Sequence, residues 1–425
     1  MTGRTHIVGA GVAGLSAALA ILRAGGQVAV YEGAPQAGGR ARTLQPADGF
    51  AHDNGTHVLF TGNRPAIRFL DAVGARGDWI EPEPGAVPVF DVRNGRLNRV
   101  GLSPLSWLKP GSRPDGLTFK GVLRLIRLSL PLGDRPIGAI MGDSRLVETL
   151  VEPLTVAVLN TPVATASSRR LGLAMRRLAQ PGAARLLVAR QGLSPDLIEP
   201  AVRTLQAAGM PVLTGQRLRS VEQTDGRATA LVFADRTVAL GPEDRVILAL
   251  PPWEIGRLLP GSAVPNAFEP ILNVHYRVAG PERPRFIGLI GSLAQWALVR
   301  DDHTSVTVSA AGGAVDRDAE TIAAQVWSEI APAMRAVGLA ASDAVPDFRV
   351  VKEKRATIRQ NAGPLPQPAL RPLANLALAG DWIGALPATI ESAVVAGERA
   401  VRALDGPGPR SRAKPQAGSA VAAAS

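Results

Sequence analysis

The sequence predicts an α/β fold: a discontinuous Rossmann-type dinucleotide-binding domain joined to an α+β domain of antiparallel sheet and apolar helices. Three observations predict it. A glycine-rich turn, His6-Ile7-Val8-Gly9-Ala10-Gly11-Val12-Ala13-Gly14, opens the chain. A strand and Gly-Asp turn, Leu376-Ala377-Leu378-Ala379-Gly380-Asp381, lies near its other end. Between them, apolar helical stretches and alternating strand patterns follow one another without an internal repeat.

Residues 5–8 read as a short buried strand and 13–24 as an apolar helix. Gly9 permits the tight turn, Gly11 lets the backbone approach a pyrophosphate, and Gly14 lets helix and strand pack closely. The helix N-terminus, with Ala13 in its first turn, presents free N–H groups and a positive dipole end to phosphates. Gly25-Gly26 ends the helix, and residues 27–31 are the second strand. Glu32 follows Gly9 by 23 residues. A carboxylate there accepts both hydroxyls of an adenosine ribose and disfavours a 2′-phosphate.

Gly38-Gly39-Arg40 adds a second flexible turn and a guanidinium for the pyrophosphate. At the far end, 375–379 reads as a strand, Gly380 as a turn, and Asp381 as an acceptor for a ribityl hydroxyl. Pro387-Ala388-Thr389-Ile390-Glu391 then opens a helix to about residue 404, whose first N–H groups suit negative charge on a reduced flavin. NAD needs no such C-terminal element, so the two-ended grip points to FAD.

Residues 1–75, 192–252 and 370–405 are expected to form the FAD-binding domain, 76–191 and 253–369 the substrate-binding domain, and 406–425 a disordered tail. Pro/Gly-rich segments at 82–88 and 101–116 mark the first crossing. Residues 117–190 read as mainly helical and 192–206 as a returning helix. Strands are expected at 212–213, 218–223, 228–233, 237–240 and 245–250. Beyond Pro251-Pro252, the runs 273–278, 285–290, 294–299, 305–309 and 347–352 predict an antiparallel sheet.

The chain has 425 residues, no cysteine and a formal net charge of +11. That length exceeds one ordinary core. Without cysteine there is no disulfide, thiolate metal site or thioether flavin link, which fits a reducing cytoplasm. No secretory signal precedes the first strand, and no apolar run is long enough to predict a membrane-spanning helix. The basic residues are scattered and no nucleic-acid motif occurs. The charge is therefore read as attraction to an anionic membrane surface, the inner membrane of a cell. In Phe119-Lys120-Gly121-Val122-Leu123-Arg124-Leu125-Ile126-Arg127-Leu128-Ser129-Leu130, the cations share one stripe of an otherwise apolar helix. That pattern fits a helix lying in a membrane interface, and equally a half-buried helix with a solvent stripe. His52, His57, His275 and His303 show no ligand spacing, so no metal is expected.

The two-ended grip resembles the FAD-dependent amine oxidase and phytoene desaturase superfamily. Within it, Asp53-Asn54-Gly55-Thr56-His57-Val58-Leu59-Phe60 resembles a segment of the squalene-associated FAD-dependent desaturases, the hydroxysqualene dehydroxylases of bacterial hopanoid biosynthesis. Glu152-Pro153-Leu154, Leu159-Asn160-Thr161-Pro162, Leu250-Pro251-Pro252-Trp253 and Asn273-Val274-His275-Tyr276-Arg277 resemble further blocks of that family. So do Val351-Lys352-Glu353-Lys354-Arg355-Ala356-Thr357 and Ala379-Gly380-Asp381-Trp382 with Leu386-Pro387-Ala388-Thr389-Ile390-Glu391. The blocks keep family order over nearly the whole chain. Thr56 departs from the pattern, where Gln or Asn is commoner. The resemblance implies an FAD enzyme that reduces hydroxysqualene to squalene, with FAD contacts that also include Asn54, Gly55, Thr56 and Leu218.

Such a reaction needs an acid at the leaving hydroxyl, a dry pocket, and a carbon held over flavin N5. A carboxylic acid in an apolar pocket stays protonated near neutrality. Asp53 is therefore the first candidate proton donor and His57 the second. His275, on an apolar strand, is a candidate for the substrate hydroxyl. Turn capping by Asp53 and plain packing of either histidine fit the residues as well. Glu391 reads more simply as a carboxylate at a helix N-terminus. An oxidative carotenoid or squalene desaturase remains open. So does a non-catalytic prenyl-binding protein of the GDP-dissociation-inhibitor type, against which Glu32, Arg40 and Asp381 speak. An amine oxidase would frame its substrate with paired aromatics, and Tyr276 is the one tyrosine outside the nucleotide-binding half.

Overall fold

A computed structural model describes residues 3–47 and 49–406; the expected tail beyond 406 lies outside the described residues. Five short strands form a parallel sheet in the order Val212–Leu213, Gln27–Tyr31, Arg4–Val8, Arg245–Leu248, Leu376–Leu378. Ile7, Val30, Ile247 and Leu376 are fully buried, as a sheet covered on both faces requires. The helix Val12–Arg23 lies against it and against the last helix, Ile390–Asp405. Gly397 makes that approach possible: a Cβ there would stand 2.3 Å from the Ala13 carbonyl oxygen.

A second sheet has seven strands, in the order Phe348–Ile358, Phe268–Tyr276, Thr304–Val308, Trp296–Val299, Arg285–Ile290, Ala86–Asp91, Arg96–Gly101. Its first five strands are those the alternating runs predict. The hairpin 86–101 is not among them, and it joins Arg285–Ile290 in parallel, so the sheet is mixed. Pro88 makes this stretch read as a turn. Yet pairing to Arg285–Ile290 begins only at Val89, so Pro88 has no ladder bond to lose on that side. Leu186–Ala189, inside the stretch read as helical, is likewise a strand between Val58–Phe60 and Trp79–Ile80.

Strand Phe268–Tyr276 has two distinct faces, because successive side chains alternate. Leu272, Val274 and Tyr276 pack under the helix Ala319–Ala336, with the Tyr276 hydroxyl donating to Ala323 O at 2.6 Å. Asn273 and His275 point the other way, toward the segment 53–57. The remaining helices (Phe119–Ser129, Ile137–Met141, Glu152–Leu159, Ser168–Leu178) share an apolar core of Leu125, Leu128, Met141, Leu159 and Leu171. Asp91 ties the hairpin to this block. Hydrogen bonding from Arg93, against the effect of burial and with help from Arg145, holds its carboxyl down to about 2.

The returning helix begins with a π turn, Ser194–Ile198, and continues as Glu199–Ala207. Pro200 has no N–H to give to Asp196 O, and the Trp79 indole donates to that carbonyl instead, at 2.9 Å. Gly397→Val is expected to cost at least about 1–3 kcal/mol by overpacking, read as a lower urea midpoint. An unchanged midpoint would mean that the two helices are not held in contact.

Candidate active site

Four glycines of the first two turns divide into two kinds. At Gly9 (φ 102°) a Cβ would lie 2.3 Å from Ala249 O, and at Gly14 only 1.8 Å from Gly9 O. These two serve packing of strand against helix. At Gly11 a Cβ would meet nothing nearer than Gly38 O at 4.0 Å, and at Gly39 nothing nearer than Gly11 Cα at 3.6 Å. Gly11 and Gly39 therefore line an open cradle at a helix N-terminus that no side chain caps. Gly38 N–H donates to Ala10 O at 2.9 Å and fixes one turn on the other.

Glu32 closes the adenosine end. Its two oxygens accept from Ala10 N and Ala34 N, each at 2.8 Å, which orients the carboxylate and leaves lone pairs for a ribose. Gln216 N–H donates to Glu32 O at 2.7 Å and brings 216–218 alongside. Leu218 itself is turned into the core with Tyr31 and Phe233, so its side chain is not the FAD contact expected.

The signatures from the two chain ends meet. Arg40 Nη2 donates to Asp381 Oδ1 at 2.6 Å, and Arg40 Nη1 to Ala356 O at 2.6 Å. The residues expected to reach pyrophosphate and ribityl chain separately thus hold each other. Gly380 is needed for another reason than cofactor approach, because a Cβ would come within 2.4 Å of the Trp382 indole. Pro387 is buried. The N-terminus of Ile390–Asp405 is less open than expected. Thr389 and Ser392 form a reciprocal capping box, and Ala388 N–H donates to Gln360 Oε1 at 3.0 Å. The N–H groups of Ile390 and Glu391 remain. Near the cradle, Thr56 Oγ1 and Arg42 Nε are buried without a partner. An open glycine cradle, an oriented ribose carboxylate and unpaired donors fit FAD.

The segment 53–57 lies against the Arg40 turn: Asn54 N–H donates to Arg42 O at 2.8 Å. Asn273 holds it from the sheet side, donating to Asn54 O at 3.3 Å, and a Cβ on Gly55 would be 3.0 Å from Asn273 Nδ2. Asp53 does not stand as an open acid. Thr43 Oγ1 and Leu193 N–H donate to Oδ1, both at 2.8 Å, and Arg300 Nη2 donates to Oδ2 at 3.0 Å. Both members of the Asp53–Arg300 pair are only 2% exposed. A carboxylate with three donors, one of them a buried guanidinium, is a clamp, and this corrects the choice of Asp53 as proton donor.

His57 is half-buried, with Nδ1 donating to Gly55 O at 3.0 Å, which leaves Nε2 free among the described residues. Burial lowers its pKa, and the charges of Asp53, Arg40 and Asp381 all act on it. His275 is fully enclosed. Its Nδ1 meets Ser305 Oγ at 2.8 Å, its Nε2 has no partner, and its ring lies 4.5 Å from His52 and 6.1 Å from His303. It is packed among imidazoles and does not line an open pocket for a substrate hydroxyl. Among the described residues no group of three or more His, Asp or Glu side chains could hold a metal ion.

Two positioning residues, Arg300 and Arg170, escape sequence reasoning, and a third, Asn160, lies in a block to which that reasoning gives no role. Arg170 Nη1 and Nη2 donate to Leu386 O (2.6 Å) and Gly384 O (3.1 Å), holding the loop before the last helix. Asn160, at φ 46°, donates to Glu269 O and Thr357 Oγ1, both at 3.1 Å, and accepts from Ala310 N–H at 2.6 Å. The block 159–162 signals Asn160. Nothing marks Arg170 or Arg300 in a chain with many arginines.

The family model for flavin containing amine oxidoreductases matches residues 12–405. A hydroxysqualene dehydroxylase of Rhodopseudomonas palustris is 36% identical over 94% of this chain and 98% of its own length. One of Zymomonas mobilis is 34% identical over 93% of this chain and 97% of its own. The solved cyclohexylamine oxidase of Brevibacterium oxydans shares the fold, with TM-score 0.67 at 16% identity, covering 95% of this chain and 99% of that one.

Arg300→Met should lower stability by about 3–5 kcal/mol, because it leaves Asp53 charged and unpaired inside the protein. Adding Asp53→Asn should recover part of that loss in urea unfolding; full additivity of the two losses would mean the pair is not coupled. A second expectation concerns acid. Burial lowers the pKa values of His6, His52, His57 and His275 below the ordinary 6.5. Below 6.5 the unfolded chain therefore binds more protons than the folded one. Stability is full above 6.5 and is lost as pH falls through the depressed values. The urea midpoint should drop steadily from about pH 7.5 to about pH 5, and a flat profile would contradict this.

Proposed function

This chain belongs to the flavin-containing amine oxidoreductase family, and we propose that it is an FAD-dependent hydroxysqualene dehydroxylase. Hydroxysqualene and reduced FAD give squalene, oxidised FAD and water. The single observation that carries this reading is the near-full-length identity to proteins of that name, on a fold whose two chain ends meet beside an open glycine cradle. When bound, reduced FAD supplies the hydride that replaces the hydroxyl.

The chain's own residues would do the rest. Gly11 and Gly39 would leave room for the pyrophosphate, and Glu32 would take the ribose. Thr56 Oγ1 and Arg42 Nε would find their missing partners on the cofactor. His57 is the proton donor in this reading. With Nδ1 bound to Gly55 O, its protonated form has one N–H to give, from Nε2, to the departing hydroxyl. Its lowered pKa makes that proton easy to lose. Asp53 and Arg300 would hold the segment in place beneath it. The helix Phe119–Ser129 and the excess of positive charge support work at an anionic membrane surface of the cytoplasm, where a C30 hydrocarbon alcohol resides.

The deciding experiment is one anaerobic turnover: reduce the bound flavin, add hydroxysqualene, and follow flavin absorbance with mass spectrometry of the extracted lipid. Reoxidation with stoichiometric squalene is expected. A flavin that stays reduced, with bleaching of the oxidised enzyme by phytoene or squalene instead, would make the chain a desaturase. His57→Gln should keep its flavin and lose about 10²-fold or more in the reoxidation rate. In the unmodified protein that rate should fall as pH rises through the lowered His57 pKa. Unchanged rates and pH profile would remove His57 from the chemistry.

A further inference from the structure

Large apolar side chains exposed on the described surface are concentrated in one stretch of the chain. Of the nine, Leu97, Leu105, Leu108, Phe119, Leu123, Ile126, Leu130, Leu132 and Val345, all but Leu97 and Val345 fall between residues 105 and 132. Phe119 is 80% exposed, Leu108 77% and Leu105 76%. Singly exposed leucines are ordinary; seven large apolar side chains on adjoining segments are not.

Two elements carry them. The helix Phe119–Ser129 buries Gly121, Leu125 and Leu128 in the helical block and turns Leu123 and Ile126 outward. Thr118 caps it through Gly121 N–H at 3.1 Å. The helix is therefore firmly seated on one face while the other stays apolar and uncovered. The second element is the 3₁₀ turn Pro104–Leu108, which contributes Leu105 and Leu108 and is pinned by Trp107, whose indole donates to Gly101 O at 2.7 Å. Sequence periodicity suggests the helix but not the turn, which is too short to show a period.

Charge says what covers this face. Lys109, Lys120 and Arg127 lie among the exposed apolar residues and have no acidic partner among the described residues. The acids nearby in sequence are engaged elsewhere. Asp115 pairs with Arg145 at 3.0 Å, and Asp134 accepts from Ser167 Oγ at 2.8 Å and Gly363 N–H at 3.0 Å. Beside the helix end, Arg127 and Arg135 line a hollow together with Leu128, Leu130, Leu132 and Ile140. Unpaired cations around an apolar centre complement anionic headgroups over acyl chains. Among the described residues no helix is long and apolar enough to cross a membrane, so the contact is interfacial.

We infer that residues 104–132 form one lipid-facing foot, in which the turn Pro104–Leu108 inserts together with the helix Phe119–Ser129 into a bilayer bearing anionic headgroups. This deepens the membrane reading above and does not depend on the reaction proposed there. The foot seats the apolar helical block on the bilayer. Gly172 of the helix Ser168–Leu178 packs against Leu128 O, and Arg170 of that same helix holds the loop 384–386. An unbroken series of packed elements thus joins the membrane contact to the loop before the last helix.

The test is co-sedimentation of the full chain with vesicles of phosphatidylcholine alone or mixed with phosphatidylglycerol. The unmodified protein should prefer the anionic vesicles and bind them less tightly as salt is raised. Leu105→Ser with Leu108→Ser should weaken binding to both kinds of vesicle by at least about ten-fold. Lys120→Glu with Arg127→Glu should abolish the preference for phosphatidylglycerol. Flavin content and turnover of detergent-dispersed substrate should stay unchanged in both variants, which separates a failure of this inference from a failure of the reaction assigned. Vesicle binding unaffected by the leucine changes would overturn it. So would a dimer in sedimentation velocity that these changes convert to monomer while vesicle binding persists, because the face would then join two copies of the chain.

Discussion

The contact between Arg40 and Asp381 is the constraint on which the cofactor site depends. The two residues are 341 positions apart, and their 2.6 Å ion pair closes one end of the chain on the other. Each turn is tied locally by backbone bonds, Gly38 N–H to Ala10 O and Ile383 N–H to Gly380 O, but neither of those bonds reaches the other turn. An exposed ion pair would contribute little. Here Asp381 is only 13% exposed, and Arg40 adds a second bond to Ala356 O on the long strand Phe348–Ile358. Cradle, segment 53–57 and second sheet are thereby brought to one point.

Around that point the protein uses buried polar side chains as ties between elements. Asp53–Arg300 joins the segment 53–57 to the Trp296–Val299 side of the sheet, and Leu193 N–H joins it to the returning helix. Asn160 joins a helix end to two strands and to the turn at Ala310. Arg170 and Gln360 hold the loop that precedes the last helix. Each tie is satisfied on nearly every polar atom, because a buried group left unpaired would cost more than the bond contributes. The exceptions are informative. Thr56 Oγ1 and Arg42 Nε lack partners beside the cradle, where a cofactor would supply them. His275 Nε2 and His303 Nε2 lack partners inside the imidazole cluster, which no proposed step uses.

Local chemistry made much of the fold legible. The glycine turn, Glu32 and the Gly-Asp turn each act within a few residues of backbone, so their spacing alone identifies strand, helix and phosphate site. The runs at 285–290 and 305–309 are buried on both faces and show as strands because each is short and bounded by turn residues. Where one residue type sends a false local signal, the reading fails. Pro88 hides a hairpin because its missing N–H matters only if a neighbour would have accepted it, and that neighbour comes from residues 285–290. Leu186–Ala189 is four buried apolar residues, and period cannot tell such a run from part of a helix.

The sequence by itself determined the dinucleotide fold and the flavin, since these rest on short motifs whose geometry the backbone imposes locally, and its resemblance to a known family pointed to the class of reaction. Only the tertiary structure decided what each polar side chain is for. Asp53 looks like an acid until Arg300, 247 positions away, is found against it. His275 looks like a ligand for substrate until His52 and His303 close over it. The physical reason is that a side chain's protonation and reach are set by what surrounds it in space. For these residues the surroundings come from strands and loops that only long-range packing brings together.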